Sequence, residues 1–229
     1  MKQFIIYASK AVTSPDFTLD DLPGSGGRMD LVARCICNAL WISHDLRRDT
    51  CIHVVACGTP NPQVVISFYG DRLRGVSPDE RNIAAWIKKT LASKRKNPGI
   101  SVRKLTFQQL IEKLASEGNS FYILHENGID IGSVKLKVNP VFILGDHEGL
   151  PIEEDAFVAR FEHEKISLGT IAYLASQCIS VVHYELDPTF RIFRYKLPIY
   201  LNLYLAARII LYKGCFISSI YVNDYTLYA

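Results

Sequence analysis

NPVFILGDHEGLP at residues 139–151 and ISLGTIAYLASQCISVVHYELD at 166–187 decide how this chain is read. Each holds an apolar run that ends in a turn marked by Gly or Ser, and the second turn opens directly into a helical pattern. Short apolar runs bounded in this way read as strands. Their ends bring backbone N–H and C=O groups to the surface, where a small ligand can be read by main chain. Residue chemistry alone takes this stretch to a small-ligand site at strand ends.

Outward from there the chain alternates strands and helices. FIIYAS at 4–9 predicts the first strand, and RMDLVARCICNALWIS at 28–43 has helical spacing. CIHVVAC and QVVISFYG predict two strands joined by a turn at 58–62. Ser77-Pro78-Asp79-Glu80 is a helix start with Ser77 as N-cap, followed by RNIAAWIKKTLAS. ISVRKLTF and FQQLIEKLASEG predict a strand and a helix, and FYILHENG and PVFILG two more strands. An acidic helix near EEDAFVARFEHE, a short strand ISL and a helix from Thr170 to Tyr184 complete the pattern. The order implies an α/β fold with a largely parallel sheet.

Composition sets the class. The 229 residues are 48% hydrophobic and 21% charged, enough for a substantial core. MKQFIIYASK is too short an apolar run for a signal peptide, and the six cysteines show no C-x-x-C pair, so a cytoplasmic protein with reduced thiols is expected. His44, Cys51, His53 and Cys57 are spaced too widely for a zinc site, and Asp146-His147 reads as a structural pair, so no metal is expected. The net charge of +3 hides an asymmetry: residues 1–104 carry 16 Lys/Arg against 9 Asp/Glu, and residues 105–187 carry 5 against 13. A basic half beside an acidic half points to a polyanionic partner, with nucleic acid the usual candidate. The tail from 188 is apolar and basic, and Arg208 and Lys213 inside its longest apolar run argue against a membrane span.

Polar residues in the basic half supply candidates. The loop PGSGGR at 23–28 has the glycines of a phosphate cradle but neither the Lys-Ser/Thr of a nucleotide loop nor a dinucleotide spacing, so a plain turn competes with it. Arg47 and Arg48 lie beside Asp45 and Asp49 and read either as a surface ion-pair cluster or as a phosphate grip.

The chain resembles the archaeal tRNA pseudouridine-54 N1-methyltransferases, a branch of the SPOUT superfamily. The segments that carry the resemblance are TSPDFTLDDLPGSGGRMDLVARCI, LWISHDLRRD, GTPNP, VSPDERNIAAWIKK, YILHENG, NPVFILGDHEG and ISLGTIAYLASQCISVVHYELD, in order over most of residues 4–187. The resemblance implies one SPOUT domain at 1–187 whose C-terminal part threads a deep trefoil knot, with 188–229 an appended tail without counterpart. It also implies S-adenosyl-L-methionine bent in that knot. Leu124 would line the adenine pocket and Gly145 approach the ribose and methionine part. Leu168, Gly169, Thr170, Ile171, Ala172 and Tyr173 would form the wrapping loop, with Cys178 at its base. Where this chain has Gly169-Thr170 the family usually has Ser-Pro, a departure expected to loosen the loop. The implied reaction is methylation of N1 of a tRNA pseudouridine by a homodimer formed through the knot region. Residue chemistry and the motif match together supply candidates on the N-terminal elements that would face the cofactor across the dimer: Asp30 as base or uracil-edge acceptor, Arg28, Arg47 and Arg48 holding phosphates, Asn61 contacting the base through its amide, and Lys88, Lys89 and KRK at 94–96 extending the RNA track. The same chemistry on ribosomal RNA, and a non-catalytic RNA-binding protein, remain alternatives.

Overall fold

In the computed structural model, which describes residues 1–60 and 63–187, seven strands form one sheet in the order β6-β5-β4-β1-β8-β7-β9. The strands are β1 (Lys2–Ala8), β4 (Thr50–Ala56), β5 (Val64–Tyr69), β6 (Ile100–Arg103), β7 (Ser120–Asp130), β8 (Pro140–Gly145) and β9 (His163–Ser167). Strands β4, β1, β8, β7 and β9 run parallel, while β5 and β6 are added antiparallel at one edge. A two-residue ribbon pairs β2 (Trp41–Ile42) with β3 (Asp45–Leu46). The largely parallel α/β reading of the sequence is thus observed, with the antiparallel edge added to it.

Helices cover both faces, which is why β1 and β8 carry unbroken apolar runs. Helices α3 (Phe107–Ser116) and α4 (Ile152–Val158) close one face over Ile5, Tyr7, Val55, Phe121, Ile143 and their neighbours. On the other lie α1 (Met29–Leu40), α2 (Glu80–Leu91) and α5 (Ala175–Leu186), where Phe4 meets Phe142 and His183. The described chain up to Tyr184 is one compact unit.

Several boundaries differ from the sequence reading, each for a local reason. Asp79, not Ser77, caps α2: its side chain accepts from the Asn82 N–H at 2.7 Å, and the Asn82 side chain accepts from the Ser77 N–H. Thr106, read as part of a strand, instead forms a reciprocal capping box with Gln109 at the start of α3. The predicted acidic helix stops at Val158, and its last residues open β9 at His163. Helix α5 begins at Ala175, five residues after Thr170. Its first turn is held by Gln177, whose side chain accepts from the Leu174 N–H. Asn61 and the tail from 188 lie outside the described residues.

A buried polar relay sits at the other end of the sheet from the strand-end turns. His53 of β4 shares hydrogen bonds with Ser67 Oγ (2.7 Å) and Gln3 Oε1 (3.0 Å). Burial first, then the nearby Lys113 and Arg103 charges, push this imidazole down to about 4. In the unfolded chain it titrates near its ordinary value of about 6.5. The unfolded state therefore takes up the proton first as pH falls, so the contribution is complete above pH 6.5 and is lost towards pH 4. Urea unfolding at pH 4.5 and 7.5 is expected to show His53→Gln losing about 2 kcal/mol less than wild type over that interval. Equal losses in the two proteins would remove His53 as the cause.

Candidate functional site

Parallel strands bring their carboxyl ends to one rim of the sheet, and ligands of open α/β sheets bind outside that rim. Here the rim is cut by a cleft of two adjoining hollows, about 550 and 650 Å³ in volume, in the range of small-ligand sites. Both are lined by Leu124, His125, Glu126, Ala172, Tyr173 and Cys178. Leu168, Gly169, Thr170 and Ile171 wall one side, and Gly145 the other. All nine residues that the resemblance assigned to the cofactor therefore line one cleft.

Backbone devices shape it. Along β7 the pairing with β9 jumps from Leu124 to Ile129 across the single residue Ile166, so residues 125–128 arch away from the ladder. Gly128 lets the strand return: a Cβ there would lie 2.4 Å from the Ile166 backbone. Gly145 ends β8 against the following turn, where a Cβ would lie 2.0 Å from the Gly149 carbonyl carbon. Gly169 has φ 107°, a conformation a serine would strain, and its N–H donates to Ser167 Oγ at 3.2 Å.

Asp146, next to Gly145, is fully spent on structure. Its carboxylate accepts from Ser9 N–H (2.8 Å), Ser9 Oγ (2.6 Å) and Glu148 N–H (2.9 Å). Among the described residues no three His, Cys, Asp or Glu side chains gather as metal ligands. Burial pushes the Cys178 thiol up, which keeps it protonated beside the cleft.

The residues present fit an adenosyl sulfonium compound. Ile171 and Tyr173 leave 66% and 40% of their surface open, an apolar face suited to a purine. Glu126 lines both hollows and Asp130 one of them, so carboxylates stand where a cationic ligand would be balanced.

Beside the cleft, Arg28, Asp30 and Arg34 form a cluster on α1. Asp30 is buried, with its carboxylate held by Arg28 Nε (3.1 Å) and Nη2 (3.2 Å) and by Arg34 Nη2 (2.7 Å). Burial alone would push its carboxyl up, but the bonds from both arginines and the Arg28 charge outweigh that and hold it below its ordinary range. Arg34 also reaches Glu80 at 3.3 Å, at the start of α2. Asp30, Arg34 and Asn38 stand at successive i, i+4 positions, so they share one stripe of the helix. Asn38 donates to the Ser176 carbonyl at 2.8 Å, which docks that stripe on the first turn of α5, the turn that carries Cys178.

The remaining candidates sit elsewhere. Arg47 and Arg48 flank β3 at the C-terminal end of α1, roughly 18 Å of helix away from Arg28. Arg48 pairs with Asp45 at 3.4 Å. The PGSGGR loop is a turn and not a phosphate cradle. Asp21 accepts from the Gly24 and Ser25 N–H groups, while Gly27, Arg28 and Met29 donate to carbonyls of the same loop. Arg34 was missed by the sequence reading, although its i+4 spacing from Asp30 was there to be read.

Comparison with known proteins follows this geometry. A family profile described as "Putative SAM-dependent RNA methyltransferase" matches residues 1–190. The tRNA (pseudouridine(54)-N(1))-methyltransferase of Methanocaldococcus jannaschii is 45% identical over 199 residues, covering 82% of this chain and 97% of that protein. The protein of the same name from Methanococcus aeolicus is 44% identical, covering 82% and 98%. Among solved structures, Archaeoglobus fulgidus Nep1 bound to S-adenosylhomocysteine superimposes with a TM-score of 0.60 at 14% identity. That match covers 80% of this chain and 96% of the other, a likeness of fold. Matched along most of its length to that profile and to nearly the whole of these relatives, the chain belongs to the family of SAM-dependent RNA methyltransferases that includes the archaeal tRNA (pseudouridine(54)-N(1))-methyltransferases.

Proposed function

We propose that this chain methylates N1 of pseudouridine 54 in the T-loop of tRNA, with S-adenosyl-L-methionine as methyl donor. The observation that carries the reading is a strand-end cleft built from Leu124, Gly145 and the 168–173 loop, to whose Cys178-bearing helix Asn38 ties the α1 that carries Asp30 and Arg34. It sets two guanidinium groups and a carboxylate next to a nucleoside-sized slot.

S-adenosyl-L-methionine, when bound, supplies an electrophilic methyl group on sulfur. The chain's own residues do the rest. Leu124, Leu168, Ile171, Ala172 and Tyr173 hold the purine, Gly145 and Gly169 offer main chain to its polar groups, and Thr170 and Cys178 close the slot. Arg28 and Arg34 grip RNA phosphate and hold the target uracil ring against the cleft, so that donor and acceptor meet in line. Asp30 aims both guanidinium groups. It also takes the N1 proton, which becomes strongly acidic as the nitrogen lone pair enters the new bond, so a carboxylate below the ordinary range suffices. Arg47 and Arg48 serve as outer RNA contacts, and Asn61 contacts the base.

The same reading includes a C-terminal trefoil knot within a single domain at 1–187, a homodimer formed through the knot region, and a cytoplasmic location. It leaves 188–229 as an appendage. Among the described residues no helix is long and apolar enough to cross a membrane.

The test is methyl transfer from labelled donor to T-loop hairpins carrying pseudouridine or uridine at the target. Label is expected in the pseudouridine hairpin alone, at N1 by nucleoside mass spectrometry. Transfer only to a ribosomal RNA fragment would replace the substrate, and donor binding without transfer to any RNA would sink the assignment.

A further inference from the structure

Resting on that reading, we propose that the basic end of α2 and the turn after it, with Lys89, Lys94, Arg95 and Lys96, form a second RNA-binding surface that grips backbone phosphates of the stem flanking the target loop.

The charge is one-sided. Residues 81–104 hold eight Lys/Arg and no Asp or Glu. Several cations elsewhere are matched: Arg28 and Arg34 share Asp30, Arg81 has Asp20 at 2.7 Å, and Lys10 has Glu148. Lys89, Lys94, Arg95 and Lys96 are all exposed, and among the described residues none of them forms an ion pair.

The fold holds these like charges together. Trp86 is buried, with its indole N–H donating to the Gly75 carbonyl at 3.1 Å. The Arg95 guanidinium lies 4.8 Å and the Lys89 ammonium 5.3 Å from the centre of that ring, so both heads are fixed from below and their outer sides face water. Ser93 and Lys94 donate to the Thr90 and Lys89 carbonyls, each at 3.0 Å, which seals the turn. Buried Asn97 closes it from the far side, donating to the Arg74 carbonyl and accepting from the Gly99 N–H.

A plainer role, balancing the helix dipole, accounts for Lys88 and Lys89 in the last turn of α2. It does not extend to 94–96, which lie past the helix end. Three unpaired cations in one turn, with Lys89 beside them at the helix end, repel one another, and a polyanion relieves that repulsion with release of its counterions.

Position says which part of the RNA. Glu80, at the start of α2, touches Arg34 of the cluster beside the cleft. The 12 residues of α2 then rise roughly 18 Å, about five phosphates along a strand. The basic turn is thus too far away to reach the target nucleotide and well placed for the backbone beyond it.

The test compares wild type with Lys94→Ala/Arg95→Ala/Lys96→Ala, checked for folding by circular dichroism. Equilibrium binding is measured by fluorescence anisotropy over a salt series, on full-length tRNA and on a T-loop hairpin with a three-pair stem. The variant is expected to bind full-length tRNA about tenfold more weakly, with the salt slope reduced by about 2, and to bind the short hairpin almost as wild type does. Lys94→Arg/Lys96→Arg should keep wild-type binding. In turnover, KM for full-length tRNA should rise while kcat at saturation holds. Equal losses on both RNAs, or no loss on either, would overturn the proposal. Wild-type binding without methyl transfer would sink the proposed reaction and leave this surface standing; intact transfer with unchanged variant binding would sink the surface alone.

Discussion

Gly145→Ala is expected to weaken binding of S-adenosylhomocysteine roughly a hundredfold or more, corresponding to about 2.7 kcal/mol, in a protein that still folds. The added methyl would lie 2.0 Å from the Gly149 carbonyl carbon and 2.4 Å from both the Gly149 oxygen and the Leu150 nitrogen. All three are backbone atoms, so no side-chain rotation relieves the clash. Nor can the turn retreat easily. Asp146 N–H donates to the Tyr7 carbonyl, Gly149 N–H to the Asp146 carbonyl, and the Asp146 carboxylate holds Ser9 and Glu148. The wall of the cleft must move as a unit, away from the position that the ligand reads. Calorimetric titration would measure the loss, with a fall in Tm of several degrees as the accompanying sign of strain. Wild-type affinity in Gly145→Ala would mean that the β8 turn is not part of the cofactor site.

Asp30 carries the second large effect. Asp30→Asn keeps size and shape but removes the charge that holds two guanidinium groups, and should lower kcat at least a hundredfold while leaving cofactor affinity within about twofold. Asp30→Ala should in addition destabilise the fold by only about 1 kcal/mol, because the two guanidinium groups it releases are partly open to water and Arg34 keeps Glu80. The two arginines keep the Asp30 carboxyl below its ordinary range, so it is fully ionised at neutral pH. In the wild type, kcat is therefore expected to stay level from about pH 5 upward until another group titrates. An inflection in kcat near pH 6 to 7 that disappears in Asp30→Asn would contradict that electrostatic picture. Unchanged turnover in Asp30→Asn would remove the residue from the mechanism.

Much of this site could be read from residues, because it is written in the two features that sequence reports well. The apolar runs of β1, β7 and β8 are unmistakable since both faces of the sheet are covered. Gly128 near the end of β7 and Gly145 at the end of β8 mark where backbone approaches backbone. The errors came where two local signals compete. Ser77 and Asp79 are both good caps, and only the reach of Asn82 back to Ser77 chooses between them. Thr170 looks like a helix start, yet Gly169 at φ 107° sends the chain through an exposed loop until Gln177 can hold the first turn of α5. Glu162, Glu164 and Lys165 suit a helix surface equally well, and only pairing with β7 makes them part of or next to an edge strand, where charge is common. Arg34 and Asn38 carry no motif at all. The meaning of Asn38 comes from the contact of α1 with α5, two elements more than a hundred residues apart in the chain, and that of Arg34 from the Asp30 four residues before it and from Glu80 on α2.

The arch at 125–128 has a consequence for how this site can drift over generations. Its four residues leave the β7–β9 ladder, and the strand rejoins opposite the same Ile166 from which it departed. What the cleft receives from the arch is a stretch of peptide backbone at a set height above the sheet. Selection on such a segment acts on its length and on Gly128, where the Ile166 backbone leaves no room for a side chain. The letters at His125 and Asn127 are freer to change than their place in the cleft would suggest, while Glu126 is held by the charge it offers a cationic ligand. Divergent descendants would then keep the gap between Leu124 and Ile129 at four residues while most of its identity is lost, and counting residues across that gap would trace the lineage further than matching them.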